Sequence, residues 1–110
     1  MNRNKQAGTR WESAVVVYLR EQGVDARRVA QTGVRDLGDI HAGDWTLEAK
    51  SVKSVDLASF IDQAEREREN AGKQYGVAIV KRRSHGTAKG YAVMTLETLA
   101  RIMKETESNG

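Results

Sequence analysis

An α/β (α+β) fold, a small mixed sheet flanked by helices, is the class the sequence predicts from three observations. Helix-period apolar stripes alternate with short β-type segments in the order α, β, β, β, α, β, β, α. The stretch "GDIHAGDWTLEAK" at 38–50 separates polar from apolar residues completely at period two, which marks a hairpin. "YGVAIVK" is a continuous apolar run, as expected of a strand buried on both faces.

The first helix is expected over "GTRWESAVVVYLREQG", where Trp11, Val15 and Leu19 recur at helical spacing with Ala14 and Tyr18 beside them. Gly23 is its C-terminal glycine. Thr9 and Glu12 fit a capping box, the threonine as N-cap and the glutamate returning to its amide. A weakly signalled strand follows around 28–31, then the glycine-punctuated "TGVRDLGD" and the hairpin.

The second helix, "SVDLASFIDQAERERENAG", takes Asp56 as N-cap and Gly72 as its stop, with Leu57, Phe60, Ile61, Ala64 and Ala71 as its apolar stripe. "YGVAIVK" then supplies a central strand. The loop "RRSHGTAKG" leads into a short strand in "YAVMT", and Thr95 caps a last helix with Leu96, Leu99, Ala100 and Met103 on one side.

At 110 residues, 39% hydrophobic and 30% charged, the composition fits one domain over 1–110, with flexible ends at 1–7 and 105–110. The absence of cysteine excludes disulfides, thiolate metal sites and thiol nucleophiles. The longest apolar run, "AVVVYL", falls far short of the roughly 20 residues that span a bilayer, and no signal-peptide pattern opens the sequence. A cytoplasmic, intracellular protein without membrane contact is expected. The net charge of +3, with 18 basic against 15 acidic residues, permits an anionic polymer as partner.

The hairpin carries the chemistry. A two-residue turn at Gly43 and Asp44 pairs Ala42 with Trp45, Ile40 with Leu47 and Asp39 with Glu48. Asp39, His41, Thr46, Glu48 and Lys50 then share one face, and Ile40, Ala42, Trp45, Leu47 and Ala49 the other. Directly opposed carboxylates, with β-carbons only about 4.5–5.5 Å apart, repel one another. Lys50 offsets that repulsion as an ordinary ion pair, or a divalent cation does so better. Mg²⁺ takes hard oxygen ligands, which Asp39, Glu48 and the Ala49 carbonyl offer, and Lys50 is placed to hold the attacking water. The competing explanation is an exposed polar hairpin face carrying a chance carboxylate pair.

These residues resemble the PD-(D/E)XK nuclease superfamily, and within it the archaeal-type Holliday junction resolvases and their phage relatives. The likeness rests on "GD" at Gly38 and Asp39, "EAK" at Glu48, Ala49 and Lys50, and Glu12 in the preceding helix, within a matching element order. It implies a restriction-endonuclease-like core of αβββαβ order, here with an extra strand and a C-terminal helix. It further implies Glu12, Asp39 and Glu48 as metal-binding acids, Lys50 as the catalytic lysine and Gln63 as the polar residue of the second helix. Mg²⁺, with Mn²⁺ able to substitute, and a homodimer complete what the resemblance implies. Gly38 stands where the family commonly has proline, and its catalytic-loop serine has no clear equivalent, Thr32 being nearest.

Basic residues outside the hairpin are candidate phosphate contacts: Arg10, Arg35, Arg82, Arg83 and Lys89, with Arg27, Arg28 and Lys81 nearby. Trp11 and Tyr18 read as core. His41 reads as a bystander, and His85 as a further phosphate contact. Aromatics are only 5% of residues and no base-reading helix is evident, so recognition by DNA shape is expected.

The expected function is a Mg²⁺-dependent endodeoxyribonuclease that hydrolyses phosphodiester bonds by in-line attack of water. Its expected substrate is a Holliday junction or other branched DNA in recombination, replication or repair. The alternatives are a non-catalytic nucleic-acid-binding protein of nuclease-like fold, and a nuclease acting on linear or flapped DNA.

Overall fold

A computed structural model describes the backbone of residues 3–31, 33 and 35–109, and side chains among them from 6 to 108. The elements are α1 (Arg3–Glu21), β1 (Ala26–Arg28), β2 (Ile40–Ala42), β3 (Trp45–Lys50), α2 (Leu57–Ala71), β4 (Tyr75–Val80), β5 (Tyr91–Val93) and α3 (Leu96–Asn109). The fold is α+β, in the order read from the sequence. One five-stranded sheet, β1-β2-β3-β4-β5, is antiparallel except between β3 and β4, which run parallel because α2 crosses over between them. No helix among the described residues is long and apolar enough to cross a membrane.

The hairpin turn sets the register of the sheet. Gly43 takes φ 54°, and Ser84 is the only described non-glycine residue at positive φ, so the turn has the type II′ character that suits twisted strands. Ala42 pairs with Trp45, His41 with Thr46 and Ile40 with Leu47, the register derived from the alternation. The apolar face, with Ile40, Ala42, Leu47 and Val77, packs under Trp11, Val15 and Val16 of α1.

The polar face is not exposed. Phe60 of α2 packs with Ala78 and Val80 on that side of the sheet, and Thr46 and Glu48 are 0% and 6% exposed. The explanation by a solvated hairpin face therefore fails, because a helix covers it. At the closest approach a Cβ on Gly76 would lie 2.6 Å from the Ala64 carbonyl oxygen, so α2 rests main chain against main chain on β4.

Helix boundaries follow the expected caps in α2 and α3. Asp56 accepts from the Ser59 amide, Gly72 closes α2 at φ 67°, and Thr95 Oγ1 accepts from the Thr98 amide.

Four local expectations are corrected. α1 begins at Arg3, so Thr9 lies inside the helix and the capping box does not form. β1 lies at Ala26–Arg28 rather than 28–31, because the fully buried Ala26 anchors the segment and its carbonyl accepts from Arg20 Nε at 2.8 Å. In α2, Leu57 is exposed and Glu67 joins Phe60 and Ala64 as the buried stripe. In α3, Leu96, Leu99 and Met103 are 79%, 41% and 55% exposed, while Thr98 is buried. Tyr75 donating to Glu105, and Arg101 donating to the Gln74 carbonyl, tie that helix to the sheet.

Candidate metal and nucleic-acid site

Asp39 lies one residue before β2 and continues its path beside β3. Its amide donates to the Leu47 carbonyl at 3.0 Å, its carbonyl accepts from Val29, and its Oδ2 accepts from the Ala49 amide at 2.9 Å. A strand residue turns its N–H and C=O to the same side, so the Ala49 carbonyl also faces the Asp39 side of β3. Gly38 makes this path possible. It sits at φ 94°, with Thr46 Cγ2 3.1 Å from where a Cβ would stand, a conformation that excludes proline.

Side chains on β3 and α2 meet in two matched pairs. Lys50 Nζ donates to Gln63 Oε1 at 2.8 Å, stands 3.8 Å from Glu48 Oε1 and lies over the Phe60 ring. Glu48 in turn faces Glu67, one helical turn beyond Gln63, carboxyl to carboxyl. Two residues of strand span about 6.6 Å and four of helix about 6 Å, so the pairs stack almost in step.

Acid groups run through the site in a chain. Glu12 of α1 lies beside Asp39 and accepts from Arg28 Nη2 at 3.0 Å. Asp36 reaches Glu67 from the loop before β2. That loop is pinned: Asp36 Oδ1 accepts from the Gly38 amide, the Leu37 carbonyl accepts from Thr46 Oγ1, and Gln31 and Asn70 donate to the Gly38 and Asp36 carbonyls. His41 Nε2, 2.7 Å from the Leu37 carbonyl, must carry the proton there. His41 thus holds the loop in place.

So many carboxyls in one buried place resist ionising. Burial, then the adjoining Glu67 carboxyl and the Asp39 charge, push Glu48 up to about 11. Burial raises Glu67 to about 7, with the Asp36 charge adding to it against the lowering effect of the Glu48 carboxyl. Burial and the proximity of Asp39 take Glu12 to about 7 despite Arg28. Among the described residues no donor reaches the buried Glu48 Oε2 or either buried Glu67 oxygen. Such orphaned hard oxygens are what a divalent cation ligates.

Of the residues expected at the site, Asp39, Glu48, Ala49, Lys50, Gln63 and Glu12 do come together. The tightest acid group is different from the one expected. Among the described residues, the group of three with one oxygen each within 4.8 Å of one another is Asp36, Glu48 and Glu67, not Glu12, Asp39 and Glu48. Glu67 and Asp36 escaped the sequence reading. The available signal was a carboxylate three residues after Ala64, on the apolar stripe of α2.

The basic candidates are distributed over more than one surface. Arg10 and Arg83 line a cleft of about 850 Å³ with Lys53 and Lys81, beside the end of β3, where the Lys81 amide bonds to the Lys50 carbonyl. Lys53 was not anticipated. Arg82 lies over the Tyr91 ring, and Lys89 ends the turn Thr87–Lys89. Arg35 is exposed in the loop before β2, and Arg28 is engaged by Glu12. His85 binds the Arg83 carbonyl, and Trp11 is core, donating to the Ile79 carbonyl at 3.0 Å. Thr32 lies outside the described residues. Comparison of the chain with protein-family models, curated proteins and solved structures returns no match.

Proposed function

We propose that the chain is a Mg²⁺-dependent endodeoxyribonuclease with a restriction-endonuclease-like core, of the PD-(D/E)XK type, acting on branched DNA. The observation that carries this reading is the convergence of Asp39, Glu48 and Lys50 beside α2, with Glu48 buried and the lysine ammonium fixed by Gln63. The residues fit the cation: Glu48 Oε2 is orphaned, and Asp39, Glu48 and the Ala49 carbonyl offer hard oxygens on adjoining strands. When bound, the ion polarises the scissile phosphate and neutralises its charge.

The chain's own groups do the rest. Lys50 holds the attacking water and offsets the negative charge that grows on the phosphoryl oxygens as one P–O bond forms and the opposite one breaks. Gln63 fixes the lysine, and α2 keeps bulk water from Glu48. The cleft of Arg10, Lys53, Lys81 and Arg83 tracks a phosphate backbone up to the site without reading bases. Homodimerisation, with two sites for two strands, belongs to the same proposal.

A non-catalytic DNA-binding subunit would share the basic cleft, yet would leave buried carboxylates facing one another with no role. Purified protein incubated with four-way, flapped and linear duplex DNA, with Mg²⁺ or with EDTA, separates these readings. Mg²⁺-dependent products from the four-way substrate, abolished in Asp39→Asn and Lys50→Ala while binding persists, are expected. Cleavage retained in both variants sinks the assignment.

A further inference from the structure

Glu67 is a carboxylate in the position of a core residue. It is 1% exposed, follows Phe60 and Ala64 along the buried stripe of α2, and neither of its oxygens has a hydrogen-bond partner by distance and angle among the described residues. No basic side chain among the described residues forms an ion pair with it. Arg68 beside it turns to Glu65 and Glu69, and Lys50 is held by Gln63 and faces Glu48. Burying a carboxylate without a partner is costly, so a compensating positive group is expected.

Two further acids stand close by. One oxygen each of Asp36, Glu48 and Glu67 lies within 4.8 Å of the others. Opposite ligands across a cation stand roughly 4.6–5.2 Å apart for Ca²⁺ and roughly 4.0–4.2 Å for Mg²⁺, from bond lengths of about 2.3–2.6 and 2.0–2.1 Å. The three oxygens therefore stand close enough together to share one ion. Asp36 is held beside the two glutamates by its own carbonyl, which accepts from Asn70 of α2 at 2.9 Å.

We propose that Asp36, Glu48 and Glu67 form a second divalent-cation subsite, joined to the Asp39–Glu48–Ala49 subsite through Glu48 as a shared ligand. The subsite deepens the nuclease reading and rests on it for its role, which is a second positive charge beside the scissile phosphate. Its occupancy stands apart from that role. Glu48 has two oxygens for two ions, Oε1 on the Lys50 side and the orphaned Oε2.

The test counts ions on the whole chain without DNA, by titrating Mn²⁺ and reading the free ion by electron paramagnetic resonance. Wild type is expected to bind two Mn²⁺ per chain, and Glu67→Gln and Asp36→Asn one each. Asp39→Asn is expected to retain one, and that one is lost when Glu67→Gln is added. Circular dichroism checks that Glu67→Gln is folded, and the exposed Asp36→Asn repeats the test without altering a buried side chain.

One ion or none in wild type, or an unchanged count in folded Glu67→Gln or in Asp36→Asn, overturns the subsite. If wild type cleaves DNA with such a count, the subsite falls and the nuclease reading stands. If the expected counts are found with no cleavage of any DNA, the subsite stands and the nuclease reading falls.

Discussion

Lys50 Nζ donates to Gln63 Oε1 at 2.8 Å, so the β3 lysine is aimed by a side chain from α2. Gln63 itself need not touch the DNA to matter. Gln63→Ala is expected to lower kcat by about 10- to 100-fold, as loss of an orienting partner does, with KM little changed. Gln63→Glu keeps an acceptor for the ammonium and should recover part of the rate. Steady-state cleavage of a four-way junction measures both, and a change confined to KM would show that Gln63 binds substrate instead.

Glu48, Glu67 and Glu12 all hold protons above their ordinary value of 4.5 in the folded chain. Between that value and the raised ones the folded state binds more protons than the unfolded state, so stability falls as pH rises. The contribution is complete below about pH 4.5 and is lost through about 7 for Glu67 and Glu12, and through about 11 for Glu48. In EDTA, Tm is expected to drop by roughly 10 °C or more from pH 5 to pH 8, for a chain of this size. Mg²⁺ replaces the protons and should raise Tm more at pH 8 than at pH 5. Thermal melts of wild type and Glu67→Gln check this, the variant showing the flatter pH profile.

Gly38 occupies φ 94° and donates its amide to Asp36 Oδ1. Gly38→Pro removes that donor and forces φ near −65°, at a cost of roughly 3 kcal/mol or more. Gly38→Ala meets left-handed backbone strain of about 1–2 kcal/mol and contact with Thr46. Urea denaturation should rank them wild type, Ala, Pro, the reverse of what the family's common proline would suggest.

In the proposed nuclease the cleft cations would act on affinity for DNA. Alanine at Arg10, Lys53, Lys81 or Arg83 should each reduce the slope of log affinity against log salt by about 0.9 where the residue neutralises a phosphate. Binding should weaken by a similar factor for every DNA sequence. Fluorescence anisotropy at several salt concentrations measures it, and Arg28→Ala, whose guanidinium is occupied by Glu12, should change the slope least.

Much of this architecture was legible because alternation in the hairpin leaves one register only. Ile40 opposite Leu47 followed from the Gly43 turn, but the pairing expected one step further, Asp39 with Glu48, does not form: the Asp39 amide bonds to the Leu47 carbonyl and its carboxylate accepts from the Ala49 amide. What sequence could not convey was the cover on the polar face. Alternation of polar and apolar residues reads the same whether water or a helix lies over the polar side, and Glu48 proved buried. Glu67 was missed for a related reason: in a segment as charged as "QAEREREN", one carboxylate turned inward resembles its solvated neighbours. Glu12 was credited with a capping role because the Thr9 to Glu12 spacing is correct, but the helix had already begun at Arg3.

Gly76 gives the site its depth. Ala64, whose carbonyl it admits, lies between Gln63 and Glu67 on the face of α2 that meets β3 and β4. The gap across which carboxylates and lysine face one another is therefore a jaw opening fixed by two main chains in contact. Swapping a ligand changes what lines the jaw but leaves its span, whereas a single methyl at position 76 would wedge it wider. In the proposed metal site, selectivity among cations of different radius would thus depend on a residue that has no side chain and touches no ion.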